Sequence, residues 1–190
     1  MKHSGTRLAP VALMAVLAAL TFWLDRATQD DGNGNNGKDR HDPDYMVYNF
    51  EVRRFNADGE LQHAVAAPEM KHYPDDDSTS VVAPRVTYYR APPLYLAADT
   101  AWLDKGGKHV RLDGNVRVTR TATDEAPPTL IETSILYVEP DDEFAHTDAP
   151  VTITQDRSVI NGVGMESNNK THISVLSGPV KGIIYPKQKQ

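Results

Sequence analysis

The first pattern along the chain is an unbroken apolar run. Leu8 to Leu24 (LAPVALMAVLAALTFWL) holds seventeen residues without a charge, preceded by Lys2 and Arg7. As a helix it rises about 25 Å, near the lower limit for a hydrocarbon core of about 30 Å. Phe22 and Trp23 at its far end suit the headgroup boundary, and the basic flank predicts a cytoplasmic start. A cleaved signal peptide is the rival. Its exit, Thr21 to Asp25, is bulky where signal peptidase takes small residues, although Ala15 to Ala19 offers a weak site. A retained anchor is the expectation.

Gln29 to Asp44 (QDDGNGNNGKDRHDPD) has no apolar residue and reads as a flexible spacer. From Tyr45 the pattern changes to short runs of period two, the strand signature. Leu61, His63, Val65 and Ala67 share one face, as do Val110, Leu112, Val116 and Val118 around Gly114. Val151 and Ile153 alternate with threonines, and Ile173 and Val175 alternate near the end. Around Ile131 to Val138, the set Ile131, Thr133 and Ile135 competes with Leu136 and Val138, which predicts a bulge.

Turn chemistry separates the runs: Ala57-Asp58-Gly59, Pro74 to Asp77, Lys105 to Lys108, Pro140 to Asp142 and Asn168-Asn169. No segment after Leu24 shows a capped helical stripe, so the expected fold is all-β with short antiparallel strands in a sandwich or jelly roll. Residues 113–120 (DGNVRVTR) and 148–155 (DAPVTITQ) repeat loosely and suggest a stacked two-strand unit. The predicted organisation is a cytoplasmic N-terminus over 1–7, a transmembrane helix over 8–24 and a polar linker over 25–44. A β-domain over 45–186 and a polar tail over 187–190 complete it.

Length and composition fit one globular domain beyond the spacer: 190 residues, 39% hydrophobic. The net charge of −6 gives no basic field for phosphates, which argues against a nucleic-acid partner. The absence of cysteine excludes disulfides, thiolate metal sites, Cys nucleophiles and a lipidated N-terminal Cys. Seven histidines (3, 41, 63, 72, 109, 146 and 172) form no ligand pair at helical or i, i+2 spacing. Asp75-Asp76-Asp77 and Asp141-Asp142-Glu143 read as solvated turns, with neither EF-hand spacing nor a converging glycosidase pair. Nucleophile elbows, P-loops and H-E-x-x-H are missing, so no metal, cofactor or catalytic residue is expected.

Several stretches together resemble the LptC family of lipopolysaccharide export proteins. DGELQHAVAAPEMKHYPDD (58–76) with the strand at Pro84 is similar to that family's first hairpin. LDGNVRVTR (112–120) resembles its G-x-V turn and strand, IETSILYVEPDDEFAHTDAPVTI (131–153) its T-x-x-L-x-V portion, and Asn161 to Met165 its late Gly-rich turn. The anchor, the spacer and the tail Lys187 to Gln190 agree, and the resemblance covers nearly the whole chain.

The resemblance implies a twisted β-jelly-roll with an open apolar groove for lipid A acyl chains, the sugars staying outside. It implies lipopolysaccharide as cargo, an inner-membrane ABC transporter of the LptB, LptF and LptG type upstream, and an LptA-like bridge protein downstream. Groove candidates are Leu61, Val65, Leu112, Val116, Val118, Ile135, Leu136, Val138, Val151, Ile153, Ile173 and Val175. A face packed shut as a core gives the same alternation. Tyr45, Val47 and Phe50 are candidates for the transporter-side edge; Ile173, Val175, Val180, Ile183 and Tyr185 for the LptA-side edge. Ordinary edges blunted by charge are the alternative. The expected role is lipopolysaccharide transport by a single-pass inner-membrane protein with a periplasmic domain, not catalysis. A tethered scaffold that carries no lipid, and a hydrolase without a recognisable motif, are the competing readings.

Overall fold

A computed structural model describes residues 9–28, 41–124, 126–171 and 173–185. The predicted cytoplasmic segment, Leu8, most of the linker and the tail 187–190 lie outside the described residues. The chain divides into two units, Met1–Arg40 and His41–Gln190.

The first unit contains helix α1, Ala9–Thr28. Its described apolar side chains from Leu13 to Leu24 are exposed, and the Thr21 hydroxyl donates to the Leu17 carbonyl at 2.8 Å. Among the described residues, no helix is long and apolar enough to cross a membrane.

The second unit is antiparallel β-sheet throughout. Its strands are β1 (Tyr45–Phe55), β2 (Leu61–Tyr73), β3 (Ser78–Val82), β4 (Arg85–Tyr88), β5 (Leu94–Ala97) and β6 (Thr100–Leu103). They continue with β7 (Val110–Arg120), β8 (Thr129–Glu139), β9 (Phe144–Gln155), β10 (Ser158–Asn168), β11 (Ile173–Leu176) and β12 (Lys181–Ile183). Among the described residues of this unit, the one helical element is a 3-10 turn, Lys105–Gly107.

Three pairs of short strands are halves of longer rows. β3 and β4 lie along the two ends of β2, β6 and β5 continue beside them and pair the two ends of β7, and β11 and β12 pair the two ends of β10. The sheet is thus a meander in chain order, jelly-roll-like in its creased rows. β1 pairs only with β2 at one end, and β11 and β12 only with β10 at the other, among the described residues.

Each row breaks near its middle, and the breaks line up. They fall at Asn49, Pro68, Ala83-Pro84, Ala98-Asp99, Gly114-Asn115, between Thr133 and Tyr137, near Pro150, at Gly164 and at Ser177-Gly178. Several of these residues hold positive φ (Asn49, Ala83, Gly114, Asn115, Gly164), which bulges and sharp bends require. The crease stays hydrogen-bonded. Ala83 N donates to Asp99 O at 2.7 Å, Asp99 N to Gly114 O at 2.9 Å and Ser177 N to Gly164 O at 3.0 Å.

Two segments read as turns are therefore bends inside strands. Gly114-Asn115 lies within β7 and Asn161 to Met165 within β10. Glycine supplies the positive φ for a bulge as readily as for a turn, so composition does not separate the two. The repeat seen at 113–120 and 148–155 is the same crossing of the crease by β7 and β9.

Candidate functional site: a creased inner face and two open edges

The ladders fix which side chains share a face. Leu112 pairs with Leu136, and beyond the irregular stretch of β8 Thr147 pairs with Met165 and Met165 with Leu176. Across the crease, Val65, Val86, Leu96, Val118, Ile131, Ile153 and Ile160 form a second inner row. Buried Ala67, Val81, Leu96, Ala98, Ala101, Leu112, Val116 and Leu136 pack into one cluster drawn from both halves.

Next to the crease this face is closed. Val116 is 0% exposed and Val151 2%. The small side chains Ala67, Ala98 and Ala101 permit that close approach. A groove open along its whole length is therefore not what the structure holds. Away from the crease the inner positions Leu61, Val65, Val118, Ile131, Ile153 and Ile160 remain half-buried, as does Val138 in the other half.

Three groove candidates lie on the other face. Ile135 stands opposite Asp113, one residue out of phase with the Leu112–Leu136 pair. The bulge expected in this stretch is present as register shifts on both sides of β8, so inner residues change from Ile131 and Thr133 to Leu136 and Val138. Ile173 and Val175 pair with Asn168 and Glu166, are 59% and 52% exposed, and leave Leu176 half-buried on the opposite face. A four-residue strand carrying Ile, Val and Leu at 173, 175 and 176 does not declare its own phase. Leu61, Val65, Leu112, Val116, Val118, Leu136, Val138, Val151 and Ile153 share the inner face.

The edge candidates all lie on terminal strands or beside them. Tyr45, Val47 and Phe50 are on β1; Ile173 and Val175 are on β11, Ile183 is on β12, and Val180 and Tyr185 flank β12. Exposed apolar side chains line both edges: Tyr45, Met46, Tyr48 and Val52 on one, Ile173, Val175, Val180 and Ile183 on the other. Unpaired N–H and C=O groups along such edges can template another strand.

The start of β1 is anchored by a histidine clasp that the sequence pattern does not reveal, since it places His41 to Asp44 in the linker. His72 Nδ1 lies 2.8 Å from Asp44 Oδ1 and its Nε2 2.9 Å from Asp77 Oδ1, with the Tyr45 ring stacked on it at 4.7 Å. His41 bonds Asp75 at 2.9 Å and stacks on Tyr73 at 4.0 Å. The bonds to Asp44 and then Asp77 hold the His72 pKa above its usual 6.5, and the bond to Asp75 does the same for His41. These partners are 28 and 34 residues apart in sequence, beyond any local motif. His41, Asp75 and Asp76 also come close enough to hold a cation, but all three are exposed, and exposed acidic groups commonly cluster without one.

The comparisons with known proteins agree with this geometry. The crystal structure of LptH, the LptA-homologous periplasmic component of the lipopolysaccharide transport device from Pseudomonas aeruginosa, superposes with a TM-score of 0.53 at 14% identity. The match covers 65% of this chain and 95% of that one, and shows a shared fold. Among curated proteins no match is found. The profile of the family described as "Lipopolysaccharide-assembly, LptC-related" matches residues 11–185, nearly the whole chain. By that match, and with its creased antiparallel sheet, this chain belongs to the LptC family.

Proposed function

We propose that the chain is an inner-membrane-anchored periplasmic carrier. It receives lipopolysaccharide from an ABC transporter of the LptB, LptF and LptG type and hands it to an LptA-like bridge protein. Its role in lipopolysaccharide transport follows from the family match over residues 11–185. The observation that carries the fuller reading is two apolar-lined edges, without a further strand among the described residues, at opposite ends of one sheet with an apolar inner face. β1 would extend a transporter domain and β11–β12 an LptA-like domain by strand addition, in which main-chain hydrogen bonds supply affinity. The likeness to LptH supports this, because partners of one fold can continue a single sheet.

Acyl chains would enter at the half-buried inner positions, Leu61, Val65, Val118 and Ile153, and advance as the packed layers part along the crease. Burying apolar chains there stabilises by about 25 cal/mol per Å² removed from water, which offsets the packing given up where the layers separate. The anchor is the apolar run Leu8 to Leu24. From Leu13 to Leu24 its side chains are apolar but for Thr21, and such a run is favoured in a non-aqueous surrounding. The run is short for a bilayer, a mismatch that local thinning of the bilayer accommodates.

The experiment is transfer in a reconstituted system. With the transporter and this chain in proteoliposomes, lipopolysaccharide should reach a soluble LptA-like acceptor only with ATP. Val175→Lys with Ile183→Lys should abolish arrival at the acceptor while lipid still loads onto this chain. Loss of both steps, or of neither, contradicts the assignment of the β11–β12 edge. A chain that docks the acceptor but never carries lipid is the scaffold instead.

A further inference from the structure

The outer face of the sheet carries a feature that lipid passage on the inner face does not use. Ser80, Trp102, Arg111, Tyr137 and His146 form one outward row across β3, β6, β7, β8 and β9. Its aromatic rings form two stacks. Trp102 packs towards Tyr73 with centroids 5.8 Å apart and planes 20° from parallel. Tyr137 packs towards His146 at 5.1 Å and 16°.

Arg111 lies between Trp102 and Tyr137 on β7 and lines the same cavity. Its Nε and Nη2 both reach Asp113 Oδ1, at 3.1 and 2.8 Å, which draws the guanidinium along its own strand. What remains is a slot over β7, walled by Trp102 and Tyr137, within a cavity of about 380 Å³. That volume is at the lower end for small-molecule sites. The strands that carry the two walls, β6 and β8, lie two strand spacings apart, about 9–10 Å. A flat ring in van der Waals contact on both sides needs about 7–8 Å, whereas a puckered, saturated ring with axial hydrogens needs more.

The cavity surface is almost wholly apolar, and its polar groups stand at the rim. Asp104, His109 and Glu139 line the cavity, and the Asp104 carboxylate bonds both the ring and the backbone N–H of His109. Carboxylate, imidazole and guanidinium groups together offer acceptors and donors for hydroxyls, and the two rim carboxylates disfavour an anionic ligand. Trp102 is 39% exposed, so its ring is available.

We propose that this slot binds an uncharged pyranose ring, with Trp102 and Tyr137 against its C–H faces and Asp104 and Glu139 accepting from its hydroxyls. The site is a saccharide platform on the outer face. It holds whether the inner face carries lipid or not, so its failure and that of the transport reading are separable.

The test uses the full chain in detergent micelles. A neutral, lipid-free hexose trisaccharide, its phosphorylated counterpart and adenosine are titrated while the Trp102 indole and Arg111 Nε resonances are followed. Saturable shifts with the neutral sugar at millimolar concentration are expected. Trp102→Ala and Tyr137→Ala should each weaken binding tenfold or more, and Trp102→Phe by less than threefold. Asp113→Asn frees Arg111 to swing across the slot and should weaken binding about as much as loss of a wall. This variant decides the matter even if an alanine variant fails to fold. No saturable shift up to about 20 mM, unchanged binding in Asp113→Asn and Trp102→Ala, or preference for adenosine or the phosphorylated sugar would overturn the proposal.

Discussion

The side-chain amide of Asn115 donates to the Asp99 carboxylate at 2.8 Å, tying two neighbouring rows together at the crease. The same side chain leaves no room at Gly114. A Cβ there would collide with Asp99 Oδ2 and lie 2.9 Å from the Asp99 Cβ, and the backbone holds φ at +76°. Gly114→Ala should therefore destabilise the domain by about 2–3 kcal/mol, from the left-handed backbone and the clash together. Urea unfolding measures it. Adding Asp99→Ala removes the carboxylate part of the clash, though not the 2.9 Å contact with Cβ, so the double variant should lose less than the sum of the singles. Strict additivity would contradict this account of the crease.

Thr147 tests the next stretch of the crease. It is 2% exposed; its hydroxyl donates to Ile135 O at 2.6 Å and accepts from Ala149 N at 3.1 Å. Thr147→Val keeps the volume and strands both backbone groups, at a cost of about 1–3 kcal/mol. Thr147→Ser should cost less than the valine variant, and equal losses would show that packing alone matters.

The histidine clasp makes stability depend on pH. Both His72 nitrogens donate to carboxylates at once only in the imidazolium form. A folded pKa above 6.5 means that the stabilisation is complete below about pH 6.5 and is lost as pH rises through the raised value. His41 on Asp75 and His109 on Asp104 act with the same sign. Lys105, 3.6 Å from Asp77, is the other charge facing the clasp. His63 opposes them: burial, then Arg54, lowers its pKa, so its contribution is lost as pH falls. Denaturation midpoints should fall between pH 6 and pH 9, and His72→Gln should flatten that fall. An identical pH profile in the variant would show that the clasp does not set it.

Exposed edge positions should affect binding without affecting folding. Val175→Lys replaces a side chain that is more than half exposed, so stability should change by no more than about 0.5 kcal/mol. Affinity for an LptA-like partner should drop at least tenfold, about 1.4 kcal/mol, in a calorimetric titration. A folded variant with unchanged affinity would move the docking edge elsewhere.

How much of the fold is legible in the sequence depends on phase. In β7 the bulge at Gly114-Asn115 leaves Leu112 and Val116 both at even positions, so period two survives the crease and the inner face reads correctly. In β8 the crease changes the parity between Thr133 and Leu136, and Ile135 falls outside although its apolar character matches its neighbours. β11 is too short to show a phase at all. The crease is invisible as such, because Asn49, Pro68, Ala83 and Gly114 bend the chain by different chemistry. The clasp at His41 and Asp44 joins residues near the linker to a hairpin about thirty positions on, a relation that only the fold creates.

The most direct measurement places a photo-crosslinking residue at Ile153, half-buried on the inner face, and separately at Val175 on the outer face, in the full chain with transporter and ATP. Lipopolysaccharide adducts that need ATP at Ile153 and are absent at Val175 are the predicted result. Adducts of equal yield at both positions, or none at Ile153, would contradict lipid passage between the layers.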